Sequence, residues 1–130
     1  LSQVKKDYNN GLFIIGNFSQ IGDSIRDHIC RLNPDYSVSN WKKPNGNFFF
    51  DVFATDSLYM YGFKQNPLED YDTLYKINHL TGIASPLNCV KRRLDILNDM
   101  IVANGSVICG GQFIDIDSNN NNSYYGLLSL

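Results

Sequence analysis

The chain has 130 residues, of which 43% are apolar, 13% aromatic and 18% charged, enough for one domain with its own core and unlike collagen, a coiled coil or a disulfide scaffold. Eleven Lys and Arg against thirteen Asp and Glu leave a net charge of −2, which argues against a phosphate-backbone binder and hence against a nucleic-acid partner. No apolar run approaches the roughly 20 residues of a membrane helix.

The elements are best read as copies of one pattern. Asn10-Gly11 is a turn signal, followed by the apolar run Leu12-Phe13-Ile14-Ile15, then Gly16 and Phe18. A second run, Ile29-Cys30-Arg31-Leu32, leads into the turn Asn33-Pro34-Asp35, and Val38 opens a short final strand. Phe48 to Ala54 supplies a further strand. The pattern then restarts at the turn Asp56-Ser57 with Leu58-Tyr59-Met60-Tyr61, Gly62 and Phe63, then Leu74-Tyr75-Lys76-Ile77, a turn at His79 to Gly82, and Ile83-Ala84. A third copy follows Leu97 to Ala103: Asn104-Gly105, then Val107-Ile108-Cys109, Gly110-Gly111 and Phe113. The three turn signals lie 46 and 48 residues apart, and Gly16, Gly62 and Gly110 each stand five positions past the turn.

Runs of this length, rich in Ile, Val, Phe and Tyr and separated by turn residues, predict strands. Asn-Gly suits a tight hairpin because it tolerates positive φ, and the glycines at the run ends allow a bulge or a close backbone approach. About four strands per unit of this length is the signature of a propeller blade. The expected fold is therefore all-β, a β-propeller segment of about three four-stranded antiparallel blades with units at 11–56, 57–104 and an incomplete 105–130. A propeller needs about four to eight blades, so other blades of the same or another chain are expected partners in a larger ring. A lone β-sandwich of short strands is the competing architecture. Residues 90–100 are ambiguous: Val90, Leu94, Leu97 and Met100 have the spacing of one helical face, whereas the repeat register wants a loop and then a strand. A start at Leu1 and a stop within Leu127-Leu128-Ser129-Leu130 suggest a piece of something longer, or a processed product.

The cysteines, Cys30, Cys89 and Cys109, form no C-x-x-C pair, and an odd number cannot pair fully; buried free thiols are expected ahead of a disulfide. Asp115-Ile116-Asp117-Ser118-Asn119 begins like a calcium loop, but Asn120 stands where glycine is needed and Gly126 where glutamate is needed. Asp115, Asp117 and Asn119 are thus a weak metal candidate, and a solvated loop is the stronger reading. His28 and His79 have no second ligand at metal spacing. No nucleophile elbow, P-loop or dinucleotide fingerprint is present. Three N-x-S sequons, at Asn17, Asn104 and Asn121, matter only in a eukaryotic secretory setting. Trp41, Lys42 and Lys43 place an aromatic beside two cations, and Lys91, Arg92 and Arg93 fall in the corresponding segment of the next unit. These six are the weak binding candidates, against the plainer expectation of a packed Trp and solvated cations.

The stretch Ile15-Gly16-Asn17-Phe18-Ser19-Gln20-Ile21-Gly22, then Arg26, then Ile29-Cys30-Arg31-Leu32-Asn33-Pro34-Asp35-Tyr36-Ser37 resembles the kelch-like β-propeller repeats of bacterial, phage and cell-surface proteins. The second copy keeps Gly62-Phe63, Lys76-Ile77-Asn78 and Thr81-Gly82, and the third keeps Gly110-Gly111-Gln112-Phe113; Tyr36 departs from the glycine of the pattern. The resemblance implies a blade stack in an extracellular, cell-surface or virion protein. The expected function is a non-enzymatic structural and binding module, as in a phage tail or fibre, whose inter-blade loops meet a protein or a surface glycan without a cofactor. The alternative is a carbohydrate-active enzyme on a propeller scaffold, for which Asp27, Asp51 and Asp72 are the acidic candidates.

Overall fold

The computed structural model describes residues 3–41, 43–44, 50–113 and 124–129. It is all-β, with no helix among the described residues. The first sheet holds β1 (Gln3–Lys6), β2 (Leu12–Ile15) and β5 (Ile29–Leu32) in the order β1-β2-β5. Between β2 and β5, a two-stranded flap of β3 (Gln20–Ile21) and β4 (Ser24–Ile25) turns at Gly22, whose φ is +55°. The second sheet is a four-stranded meander of β6 (Phe53–Thr55), β7 (Tyr59–Lys64), β8 (Tyr71–Asn78) and β9 (Ala84–Arg92). The third holds β10 (Ile96–Ala103), β11 (Ser106–Phe113) and β12 (Tyr124–Ser129). All pairings are antiparallel.

The three apolar runs are β2, β7 and β11, each the second strand of its sheet. Each sheet therefore begins one strand before the turn signal that opens the sequence period. Residues 90–100 are strand, turn and strand: β9 ends at Arg92, Asp95 Oδ2 accepts the Arg92 N–H at 3.1 Å, and β10 starts at Ile96. The helical spacing fails because Leu94 points into solvent, 89% exposed, at the tip of that turn. The final strand differs between copies. Val38 makes only an isolated bridge to Leu32, whereas Ala84 opens a nine-residue strand.

The turn signals produce three different turns. Only Asn104-Gly105 is the tight two-residue turn, with φ of 51° and 75° inside the closing pair Ala103↔Ser106. The first hairpin closes at Lys6↔Leu12 around five residues, with Asn10 at φ 62°. The second closes at Thr55↔Met60, and Asp56 Oδ1 accepts the N–H groups of Leu58 and Tyr59 at 2.8 Å each. Tyr36, which departs from the glycine of the repeat pattern, stands at φ 65° with its ring exposed, so this position does take the conformation that glycine favours.

Two apolar clusters form the core, and the second sheet lies between them. Phe53, Met60 and Ile77 point to one side and pack with Phe50 and Trp41 against Phe13, Ile15 and Ile29 of the first sheet. Ala54, Phe63 and Leu74 point to the other side and pack against Met100, Val107 and Cys109 of the third. Alternate residues of one strand thus feed two different cores. Ile14 and Met60, equivalent by spacing, both lie on the face of their sheet that looks back along the chain order. Ile108 does not. In the third sheet Cys109 takes that place, which makes Gly111 the counterpart of Gly16 and Gly62, one position later than the sequence period suggests. A one-residue slip of this kind exchanges the two faces of a strand. The bulge between Leu97 and Asp99, opposite Gly110-Gly111, is where the register changes.

The first strands of the three sheets converge. β6 touches both β1 and β10. Gln3 Oε1 accepts the Phe53 N–H at 3.2 Å, and Lys5 reaches past β6 to donate to Asp99 Oδ1 at 2.7 Å and to the carbonyl of Met100.

Gly62 and Gly110 both sit inside strands, and of these two only Gly62 is sterically required. A Cβ at Gly62 would overlap the buried Phe50 ring, whereas one at Gly110 would meet nothing nearer than the Asp99 carbonyl at 4.0 Å. In urea unfolding, Gly62→Ala is expected to cost about 2 kcal/mol through overpacking, and Gly110→Ala to stay within about 0.5 kcal/mol of the parent. Equal losses at the two positions would contradict this packing.

Candidate functional site

Two clefts lie between neighbouring sheets. The cleft between the second and third sheets, about 260 Å3, is built on a buried ion pair. Asp72, at the head of β8, accepts from Lys91 Nζ of β9 at 2.8 Å, and both side chains are at least nine-tenths buried. Lys91 also lies 5.8 Å from the Phe63 ring centroid. Arg93 Nε stands 4.0 Å from Asp72 Oδ1, an oxygen with no hydrogen bond among the described residues. Arg93 is otherwise spent on structure, its Nη2 donating to the carbonyls of Asn66 and Glu69. Asp51 lines the same cleft, as does Asp95, which caps the Arg92 turn.

The first sheet repeats the motif in a looser form. Asp27 stands just before β5, nine residues past Phe18, as Asp72 stands nine past Phe63. It accepts from Lys43 Nζ at 3.1 Å. Here the carboxylate is half-exposed, and the Lys43 hydrogen bond, with help from the adjacent His28, holds its pKa below the usual carboxylate value. A carboxylate at the head of the third strand and a lysine from the segment after it therefore close two successive units.

The cleft between the first and second sheets is larger, about 410 Å3. Asp7 follows β1 and is buried; its Oδ2 receives Arg31 Nε at 2.5 Å and its Oδ1 receives the Asn9 N–H at 2.6 Å. Arg31 Nη1 also reaches Ser39 Oγ at 3.3 Å, and Ser39 Oγ accepts the Trp41 backbone N–H at 3.1 Å. Trp41 packs edge-on against Phe13, with centroids 5.2 Å apart, and its buried Nε1–H has no partner among the described residues. His79, from the β8–β9 turn, lies tilted against Phe13 with ring centroids 4.9 Å apart, and its Nε2 is 3.0 Å from Thr55 Oγ1. Burial lowers its pKa, against smaller opposing effects of Asp7 and Asp56.

The six residues singled out as binding candidates are thus divided. Trp41 is core and lines one cleft; Lys91 and Arg93 line the other. Lys43 is held by Asp27, and Arg92 lies at the end of β9. Lys42 lies outside the described residues, as do Asp115, Asp117 and Asn119. Of the three acids considered for catalysis, Asp51 and Asp72 share a cleft, while Asp27 belongs to the first sheet. Cys30 and Cys109 are free thiols. Desolvation pushes the Cys109 thiol up to about 12 and raises that of Cys30, so both are inert, buried thiols. Among the described residues, no group of three His, Cys, Asp or Glu side chains gathers as a metal site would require. Sequence reasoning missed the Asp7–Arg31 pair. Its signal was Arg31 itself, a cation inside the apolar run Ile29-Cys30-Arg31-Leu32, which must find an acid when the strand is buried.

No family model, curated protein or solved structure matches the chain.

The His79 environment gives a pH signature. Its folded pKa lies below the ordinary 6.5, so the unfolded chain binds the proton more readily. The stability this provides is complete above 6.5 and is lost as the pH falls from there toward the folded pKa. Between about pH 7.5 and about pH 5.5 the unfolding free energy is expected to decline, with a smaller decline in His79→Gln. An unchanged slope in that variant would refute the assignment.

Proposed function

We propose that the chain is a run of kelch-like β-propeller blades serving as a non-enzymatic structural and binding module of an extracellular, cell-surface or virion assembly, such as a phage tail or fibre. The observation that carries this reading is the convergence of β1, β6 and β10. Three successive antiparallel sheets share a crowded inner edge at their first strands, tied by Lys5 to Asp99 and by Gln3 to Phe53. Blades around an axis have this relation, and the two-sided burial of the second sheet is what an interior blade requires. The repeated pairs Asp27–Lys43 and Asp72–Lys91 support the same period.

The outer faces support additional blades. Val4 is 58% exposed on the first sheet and Ile101 51% exposed on the third, beside the half-buried Ile14 and Ile108. Apolar sheet faces of this kind mark interaction surfaces. Other blades, from the same polypeptide or another copy, would cover them and complete a ring. Binding then falls to the loops and clefts between sheets, because a rigid scaffold with variable connections is how such folds present function.

A carbohydrate-active enzyme on this scaffold is the second reading, favoured by one observation: Asp51 and Asp72 line one cleft, where Asp72 Oδ1 accepts no hydrogen bond among the described residues. Against it, Lys91 holds Asp72 as a buried pair, which suits a structural role.

Sedimentation of the chain over a concentration series tests the ring. Association into species heavier than the 14.8 kDa monomer is expected, and it should be abolished by Val4→Lys together with Ile101→Lys. A monomer at every concentration would contradict the proposal.

A further inference from the structure

We propose that the cleft between the first and second sheets, lined by Asp7, Arg31, Ser39, Asn40, Trp41 and His79, is a binding site for a neutral sugar residue of a glycan. This rests on the binding-module reading above but not on ring closure, since both walls come from described residues of this chain.

Charge comes first. Asp7 and Arg31 neutralise one another across 2.5 Å, and burial keeps His79 in its neutral form near pH 7. Among the described residues, the lining has no excess positive charge to hold an anion and no excess negative charge to hold a cation. A neutral ligand is left.

Hydrogen-bonding capacity comes next. An indole N–H can only donate, and the buried Trp41 Nε1–H has no acceptor among the described residues. Trp41 lines the cleft, and leaving its N–H dry and unpaired is costly, so a ligand oxygen that reaches it would relieve it. Ser39 Oγ already accepts from Trp41 N and Arg31 Nη1, which leaves its hydroxyl proton to donate. The carboxamides of Asn9 and Asn40, at the exposed rim, offer one acceptor and two donors each. The cleft thus combines donors committed to the interior with mixed donor–acceptor groups at the rim. Vicinal hydroxyls, each able to accept and to donate, match that arrangement.

A peptide strand matches it less well. Main-chain groups beside the cleft are already used: Ser39 N–H donates to the Arg31 carbonyl, Asp7 N–H to that of Gly11 and His79 N–H to that of Leu58. Among the described residues, these three N–H groups are not available to an added strand. The volume, about 410 Å3, falls within the range of roughly 300–1,000 Å3 typical of small-ligand sites.

Trp41 is the only tryptophan of the chain, so its fluorescence reports the site directly. The full chain would be titrated with neutral gluco-, galacto-, manno- and N-acetylated oligosaccharides at millimolar concentrations, alongside sialylated counterparts and a pool of neutral peptides. Saturable change in Trp41 emission with at least one neutral oligosaccharide is expected. By calorimetry, Trp41→Phe, which keeps the ring but removes the N–H, should bind that sugar about tenfold more weakly. Asn40→Ala, at the exposed rim, should weaken it several-fold while the melting temperature stays at that of the parent. The proposal is overturned if no neutral saccharide changes the emission of the folded chain. It is equally overturned if only the sialylated sugars or the peptides bind, or if affinity is unchanged in both variants. The ring reading fails separately, in sedimentation.

Discussion

The structure depends on the second sheet being buried on both sides at once. A strand sends successive side chains to opposite faces, so β7 can deliver Met60 to the core shared with the first sheet and Phe63 to the core shared with the third. Each fully buried side chain of this size contributes about 2 kcal/mol. Remove either neighbour and half of those contributions are lost. The first and third sheets do not have that security, because each has one face against the second sheet and one against solvent.

Electrostatics reinforces this layering. Buried charges are tolerated only as pairs, and three pairs sit at different points of the stack. Asp72–Lys91 fastens β8 to β9, Asp7–Arg31 fastens the β1–β2 turn to β5, and Lys5–Asp99 spans from the first sheet to the third. The last is the more exposed and the weaker in energy, but it records how close the first strands of distant sheets lie. Because Asp7 and Arg31 consume each other's charge, the cleft around them is polar without being charged, and its chemistry is set by Ser39, Trp41 and the two asparagines.

Much of the fold was legible in the residues. The apolar runs at 12–15, 59–63 and 107–109 are strands because Ile, Val, Phe and Tyr in short runs between turn residues suit a pleated surface. Details failed where a single residue of register decides the outcome. Gly110 matches the spacing, yet Gly111 holds the equivalent place, because β11 turns Val107 and Cys109 rather than Ile108 toward the second sheet, and spacing cannot see which face a residue takes. Asp56-Ser57 and Asn104-Gly105 look alike as turn signals and make different turns, since the first is organised by the Asp56 carboxylate and the second by two positive φ angles. The clefts were the least legible part. Lys91 reads as a solvated cation and Lys43 as a cation beside an aromatic, and only the three-dimensional pairing of β8 with β9, and of Asp27 with the segment after Val38, reveals them as internal partners. Trp41 was visible as an aromatic in a connecting segment, but its unpaired N–H is a property of packing.

The most direct test of two-sided burial is amide hydrogen exchange resolved by strand. Exchange from a strand clamped on both faces requires opening against both neighbours. The account predicts the slowest exchange in Tyr59–Lys64 and Tyr71–Asn78, faster exchange in Leu12–Ile15 and Ser106–Phe113, and the fastest in the flap at Gln20–Ile21 and Ser24–Ile25. Exchange in Tyr59–Lys64 as fast as in Leu12–Ile15 would show that the second sheet is not held between the other two.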